Sequence, residues 1–193
     1  MVGKVAERRE ARTQEIVDAA WKLAAVEGIG GFSLHGLARA LGIRQPSLYE
    51  YFDSKLALYD AMFADGNRRL LARLDAVDLP DDPRHALQVL MRAFVEFAVE
   101  DIARQELLFA RPIPGFAPSP EAYAPAVAVL ERSAALLRAA GMRARGDADC
   151  FTAMVGGLIA AQNSNDPGGN RWVRHLDRLI DLYLDHLPQR RAR

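Results

Sequence analysis

The chain holds one cysteine, Cys150, among 193 residues. No intramolecular disulfide framework can form, and the usage fits a reducing compartment. A lone cysteine in an apolar helical stretch is expected to be a small buried side chain. An excess of charge is also missing: 25 Lys and Arg balance 25 Asp and Glu, with a pI near 6.9. That excludes a general polycation for nucleic acid and leaves room only for a few well-placed contacts. No apolar run is long enough to span a membrane, and none near the start resembles a secretion signal, so a cytoplasmic protein without a membrane partner is expected. Phosphate-cradling glycine loops, a dinucleotide-binding glycine pattern and Gly-x-Ser-x-Gly are absent. The four histidines, His35, His85, His175 and His186, have no short metal spacing. Asp81 and Asp82 read as solvated residues of a proline loop. No catalytic residue, metal or cofactor is therefore expected.

Half of the residues are apolar, ample for a helical core, and ten prolines divide the chain into helical segments. Ile16, Ala20, Leu23 and Ala24 mark the inner face of a first helix over about 8–27. Ser33 is a good N-cap for a second over about 34–40. Leu56, Tyr59, Phe63, Leu70 and Leu74 form the stripe of a long helix over about 54–76, capped by Asp53 or Ser54. Pro80 and Pro83 end it. Leu87, Leu90, Met91, Phe94, Phe97 and Ala98 describe another amphipathic helix, and 104–110 a short further piece. The proline-rich run 111–120 cannot be helix or central strand, yet Ile113 and Phe116 invite packing. Residues 121–140 resume a helix with Val127, Leu130, Ala134 and Leu137 inward. Two last helices are read at 147–164 and 170–187, around Asn165-Asp166-Pro167-Gly168-Gly169. No segment alternates as a strand does, so the expected fold class is all-α.

The segment Leu37 to Lys55 carries most of the functional signal. Ala38 is small where a second helix would cross closely, and Gly42 can take the positive φ of a tight turn. Leu37, Leu41, Ile43 and Leu48 can pack the two helices together. Pro46 suits a first helical position and makes Gln45 the expected boundary residue. This is helix-turn-helix spacing, the arrangement that presents a helix of about two turns to a major groove.

The continuation Ser47-Leu48-Tyr49-Glu50-Tyr51-Phe52-Asp53-Ser54-Lys55 sharpens the match. It closely resembles the DNA-binding domain of the tetracycline-repressor (TetR) family of bacterial regulators, whose recognition helix ends in Leu-Tyr-x-x-Phe before Ser-Lys. Gly28-Ile29-Gly30-Gly31-Phe32-Ser33 resembles that family's loop between its first two helices. Two departures stand out. Leu56 follows Lys55 where an acidic residue is common. Glu50 puts a negative charge in the reading helix, to face away from DNA or accept from a cytosine amino group.

The resemblance implies a domain plan: residues 1–53 as an N-terminal three-helix DNA-binding domain, 54–78 as a connecting helix, and 79–193 as a larger helical regulatory and dimerisation domain. Arg44 and Gln45 are long donors at the start of the reading helix and are expected to contact bases, Arg on guanine and Gln on adenine. Ser47, Tyr49, Tyr51 and Lys55 stand at the family's phosphate-contact positions, and Ser33 offers another such contact. Lys4, Arg8, Arg9 and Arg12 form a basic arm, diluted by Glu7 and Glu10, for phosphates or the minor groove. Residues 1–55 nonetheless hold only eight Lys and Arg against seven Asp and Glu.

One reading helix covers few base pairs, so a homodimer on a palindromic double-stranded operator is implied. The family's interface, a four-helix bundle of the last two helices of each subunit, would use Phe151, Val155, Gly156, Gly157, Ile159, Trp172, Leu176, Leu179 and Tyr183. The glycine pair in mid-helix would be explained by close approach of another helix. The resemblance also implies a small-molecule effector held among the helices. Candidate lining residues are Met91, Phe94, Phe97, Phe109, Phe116, Tyr123, Met154 and Asn163, whose character suits an apolar or aromatic ligand. Gln162, beside Asn163, is either a further polar contact or a cap. The implied function is a ligand-responsive, sequence-specific transcriptional regulator, a repressor. The alternative is a helical dimeric interaction protein with a degenerate DNA-binding head.

Overall fold

The computed structural model describes residues 2–187. Among the described residues there are helices and connecting turns and no strand, so the fold is all-α. Nine α-helical segments follow in order among them: α1 Val2–Glu27, α2 Leu34–Ala40, α3 Gln45–Leu48, α4 Lys55–Asp75, α5 Pro83–Glu100, α6 Ile102–Gln105, α7 Pro120–Ala139, α8 Arg145–Asn165 and α9 Leu176–Asp185. A π-helical turn, Glu106–Ala110, continues α6, and a 3-10 turn, Val173–His175, leads into α9.

The chain divides into two compact units. One gathers the residues up to Arg69 with Asp101–Ala126; the other gathers Leu70–Glu100 with the residues from Val127 onward. Residues 101–126 thus join the N-terminal unit, a partition that differs from the segments drawn on the sequence.

In the first unit, α1 buries Ile16, Val17, Ala20, Trp21 and Ala24 against Phe32, Leu37, Leu48, Phe52, Leu58, Tyr59 and Met62. Its one deeply buried carboxylate, Asp65, is 5 % exposed. Asp65 accepts from Trp21 Nε1 at 2.9 Å and Gln14 Nε2 at 3.0 Å, and pairs with Arg69 Nε at 2.8 Å. A buried carboxylate with three partners is tolerable where an unpaired one would not be. The proline-rich segment packs onto the same core. Phe116 lies 6.0 Å from the Tyr59 ring and 6.4 Å from Phe63, and Asp60 accepts from both Ser119 N and Ser119 Oγ at 2.7 Å. Ser119 Oγ in turn accepts from Ala122 N, capping α7.

In the second unit, Leu87, Leu90 and Phe97 of α5 are buried along with Phe151, Val155 and Ile159 of α8 and Leu176 and Ile180 of α9. α5 packs on both α8 and α9. Exposed pairs line that contact: Arg84 with Asp181 at 3.0 Å and Asp185 at 2.5 Å, and Arg92 with Asp177 at 2.6 Å. Asp82 is a helix cap, accepting from His85 N at 2.8 Å. Gln162, fully buried, pins the loop after α8: its Oε1 accepts from Trp172 N and Val173 N, while its Nε2 donates to Asp166.

Several expectations need correction. The first helix begins at Val2, so the basic stretch is helical extension; a helix does not fit a minor groove about 6 Å wide. Leu56 is 44 % exposed and stands off the α4 stripe. α7 buries Ala122, Ala126 and Val129, leaving Val127 and Leu130 40 % and 57 % exposed. Its mixed Ala and Val sequence puts apolar residues on every face, so periodicity could not choose. α7 also runs through Pro125. Cys150 is exposed. α9 starts at Leu176 because the preceding loop is held by Gln162.

Candidate nucleic-acid interface

The turn between α2 and α3 follows from backbone chemistry. Ser33 caps α2, with its Oγ accepting from Gly36 N at 3.0 Å. Gly42, at φ 68°, ends the helix in the left-handed region. Ile43 N donates to Ala38 O at 3.0 Å and Gly42 N to Arg39 O at 3.1 Å. These are the paired bonds of a Schellman turn, which satisfy the last carbonyls and redirect the chain. Leu37 and Ala38 are buried at 0 % and 2 %, so the small residue does sit at the close crossing.

Arg44 is the N-cap of α3, extended at φ −78° and ψ 142°. Gln45 is the first helical residue and Pro46 the second, so α3 begins one residue before the start that the proline suggested. The reading helix is one regular turn, Gln45–Leu48, rather than two. It is prolonged by turns in which Tyr49 N donates to Pro46 O and Tyr51 N and Phe52 N to Leu48 O. Leu48 and Phe52, 1 % and 7 % exposed, fix it to the core. Arg44, Tyr49 and Glu50 are exposed; Gln45, Ser47 and Tyr51 are half-buried. Gln45 Nε2 lies 3.5 Å from Tyr49 Oη, at the limit of a hydrogen bond.

Lys55 opens α4 and reaches back to the α1–α2 loop. Its ammonium donates to Phe32 O at 2.5 Å and Gly30 O at 3.3 Å, over the rings of Phe32 and Tyr59. Tyr59 Oη donates to Ile29 O at 2.7 Å on the same loop. An ammonium has three donors, so one remains for an external acceptor. Arg9 contacts the other side of the reading segment, donating to Glu50 O at 2.9 Å. Sequence reasoning counted Arg9 only as part of a basic stretch. Nothing local could have paired it with a carbonyl 41 residues away. Glu50 keeps its carboxylate exposed.

The proposed effector residues fall into both units. Met91 and Phe97 are buried in the second unit and Phe94 is half-buried there. Phe116 belongs to the packed aromatic cluster of the first unit; Tyr123, 42 % exposed, stacks on Phe63 at 6.0 Å, and Phe109 is 43 % exposed. Met154 lines a groove of about 340 Å³ with Asp147, Leu179, Leu182, Tyr183, His186 and Leu187. Asn163 is half-buried, and its Nδ2 meets no acceptor among the described residues.

Of the residues assigned to a dimer interface, Phe151, Val155, Ile159 and Leu176 are 2–5 % exposed inside the second unit. Trp172, Leu179 and Tyr183 are half-buried, with the Tyr183 ring 5.6 Å from Phe151. Burial pushes the Tyr183 phenol above its ordinary value. Gly156 and Gly157 are exposed, and a Cβ on either would meet nothing within 4 Å. Among the described residues, no other helix approaches that glycine pair. Among the described residues there is no cluster of three or more potential metal ligands, and no helix is long and apolar enough to cross a membrane.

Residues 16–62 match the family model for bacterial regulatory proteins of the tetR family. The HTH-type transcriptional regulator Rv1816 of Mycobacterium tuberculosis is 29 % identical over 124 residues, 61 % of this chain and 53 % of that protein. The tetracycline repressor protein class D of Escherichia coli is 39 % identical over 67 residues, 35 % of this chain and 29 % of that protein. The match thus spans about half the length of the mycobacterial relative, or less in the tetracycline repressor. Among solved structures, the TetR family transcriptional regulator PfmR from Thermus thermophilus superposes with a TM-score of 0.65 at 24 % identity, over 90 % of this chain and 99 % of that one. A protein of unknown function from a Rhodococcus species gives 0.75 at 21 % identity, over 92 % and 95 %. These structures share the fold.

Proposed function

We propose that the chain, whose residues 16–62 match the tetR family model, is a sequence-specific DNA-binding transcriptional regulator of that family, a repressor, acting in the cytoplasm as a homodimer on a palindromic operator. The observation that carries this reading is the Schellman turn at Gly42, which leads into a reading helix with Arg44 exposed and Gln45 half-buried at its start. Arg44 and Gln45 read bases; Ser33, Ser47, Tyr49 and Tyr51, with the spare donor of Lys55, hold phosphates.

The dimer would form on the open side of α8. Thr152, Ala153, Gly156, Gly157 and Ala160 are exposed there, with Leu182 of α9 48 % exposed nearby in sequence to Leu179 and Tyr183. Small side chains let helix backbones approach, which supports the bundle reading; Phe151, Val155, Ile159 and Leu176 would back that surface from within. An apolar small molecule in the second unit would act as effector by binding one dimer geometry better than the other.

Selection of binding sites from a random duplex pool tests the reading. Enrichment of one palindromic sequence, bound at a stoichiometry of two chains, is expected. Failure to enrich any sequence at low salt, with a dimer still present in sedimentation, would favour the helical interaction protein with a degenerate head, to which Glu50 and the neutral charge lend some weight.

A further inference from the structure

We propose that Arg9 is a positioning residue for the reading helix, a clasp that holds the Glu50–Tyr51 turn from the α1 side. Arg9 Nη2 donates to the Glu50 carbonyl at 2.9 Å, and the guanidinium carbon lies 5.7 Å from the centroid of the Tyr51 ring. Thr13 Oγ1 donates to the Arg9 carbonyl at 2.9 Å one turn further along α1. All of these groups lie in the first compact unit. The inference rests on the DNA-binding reading but assigns Arg9 a different task from touching DNA.

The need for a clasp follows from length. α3 is four residues long, far below what an isolated helix needs to persist in water. Its form therefore depends on what fastens its ends. Leu48 and Phe52 fasten one side by burial. On the other side the Leu48 carbonyl is already used by Tyr51 N and Phe52 N. The Glu50 carbonyl is bound by the Arg9 guanidinium. A cation there also suits the negative end of the short helix. Stacking on Tyr51 sets the direction of that ring, and with it the place of the phenol offered to a phosphate. A planar guanidinium can lie on a ring while its fork donates to a carbonyl in a fixed direction; an ammonium, a point charge on a flexible stem, does not fix that direction.

Two variants of the full chain separate this role from a direct phosphate contact. Arg9→Lys keeps the charge and loses the fork; Arg9→Gln loses both. Affinity for a duplex selected by the wild type is measured over a range of salt, and amide hydrogen exchange of Tyr51 and Phe52 is measured without DNA. With a clasp, both variants weaken binding by about tenfold, leave the slope of affinity against salt as in the wild type, and speed exchange at both amides severalfold. A slope reduced by about one in Arg9→Gln, with Arg9→Lys binding as the wild type does, would overturn the proposal in favour of a phosphate contact. Unchanged exchange in both variants would overturn it as well. If the wild type selects no duplex, the DNA-binding reading fails while the exchange measurement still decides whether Arg9 holds the turn.

Discussion

The Lys55 ammonium donates to the Phe32 carbonyl at 2.5 Å, 23 residues back along the chain. The contact ties the start of α4 to the loop before α2, and the Phe32 and Tyr59 rings beneath the ammonium, 4.7 and 5.3 Å away, reinforce it. Lys55 thus has a structural task within the free head beside any phosphate contact. Lys55→Ala is expected to lower stability by about 1–2 kcal/mol and to weaken all duplexes alike. Urea unfolding and binding to matched and mismatched duplexes check both parts.

Asp65 is the most consequential polar residue of the first unit. Asp65→Ala strands the Trp21 indole and leaves the Gln14 amide and the Arg69 guanidinium with Asp18 as their remaining carboxylate. A loss of about 2–3 kcal/mol is expected, since bonds to a charged group are the stronger class. Asp65→Asn should cost less, because the amide oxygen can still accept from Trp21. Denaturant midpoints of the two variants give the comparison, with Trp21 fluorescence as the probe.

At Gly42 the backbone alone sets the outcome. A Cβ there would meet nothing within 4 Å, but φ is 68°. Gly42→Ala is therefore expected to cost about 1 kcal/mol through left-handed strain without any clash. Gly42→Asn, which tolerates that region better, should recover part of it, as thermal melts would show.

The loop after α8 has an acid limit. The Asp166 carboxyl is held below its ordinary value, first by the backbone N–H of Arg171 and then by the Gln162 side chain. A depressed carboxylate contributes stability above its unfolded value and loses it as pH falls through the folded one. The loop 166–173 should therefore stay protected at neutral pH and open only below the usual carboxylate range. Hydrogen exchange of the Trp172 and Val173 amides against pH follows this, and Asp166→Asn should remove the dependence.

The head was legible in the sequence because its determinants are local. Ser33, Gly42 and Pro46 act on their own backbone or on residues within a turn, and Leu48 and Phe52 are apolar where the spacing requires it. What could not be read depends on distant pairing. Arg9 with Glu50, Trp21 with Asp65 and Asp60 with Ser119 join residues 41, 44 and 59 apart. The inner face of α7 was misjudged because Ala and Val offer no polar side to turn outward. Packing of 101–126 with the N-terminal unit likewise had no local signal. Within the effector and dimer assignments, apolar character marked core residues such as Phe97 and Ile159 as readily as surface ones.

The central claim, that Arg44 and Gln45 read an operator, is most directly tested by binding-site selection with the wild type, Arg44→Ala, Gln45→Ala and the variant carrying both substitutions, each compared at one salt concentration. The wild type should enrich a palindrome. Each variant should lose discrimination at its own symmetric position, about 1–3 kcal/mol against the wrong base, while still binding the rest. Unchanged preference at every position in the double variant would contradict the assignment.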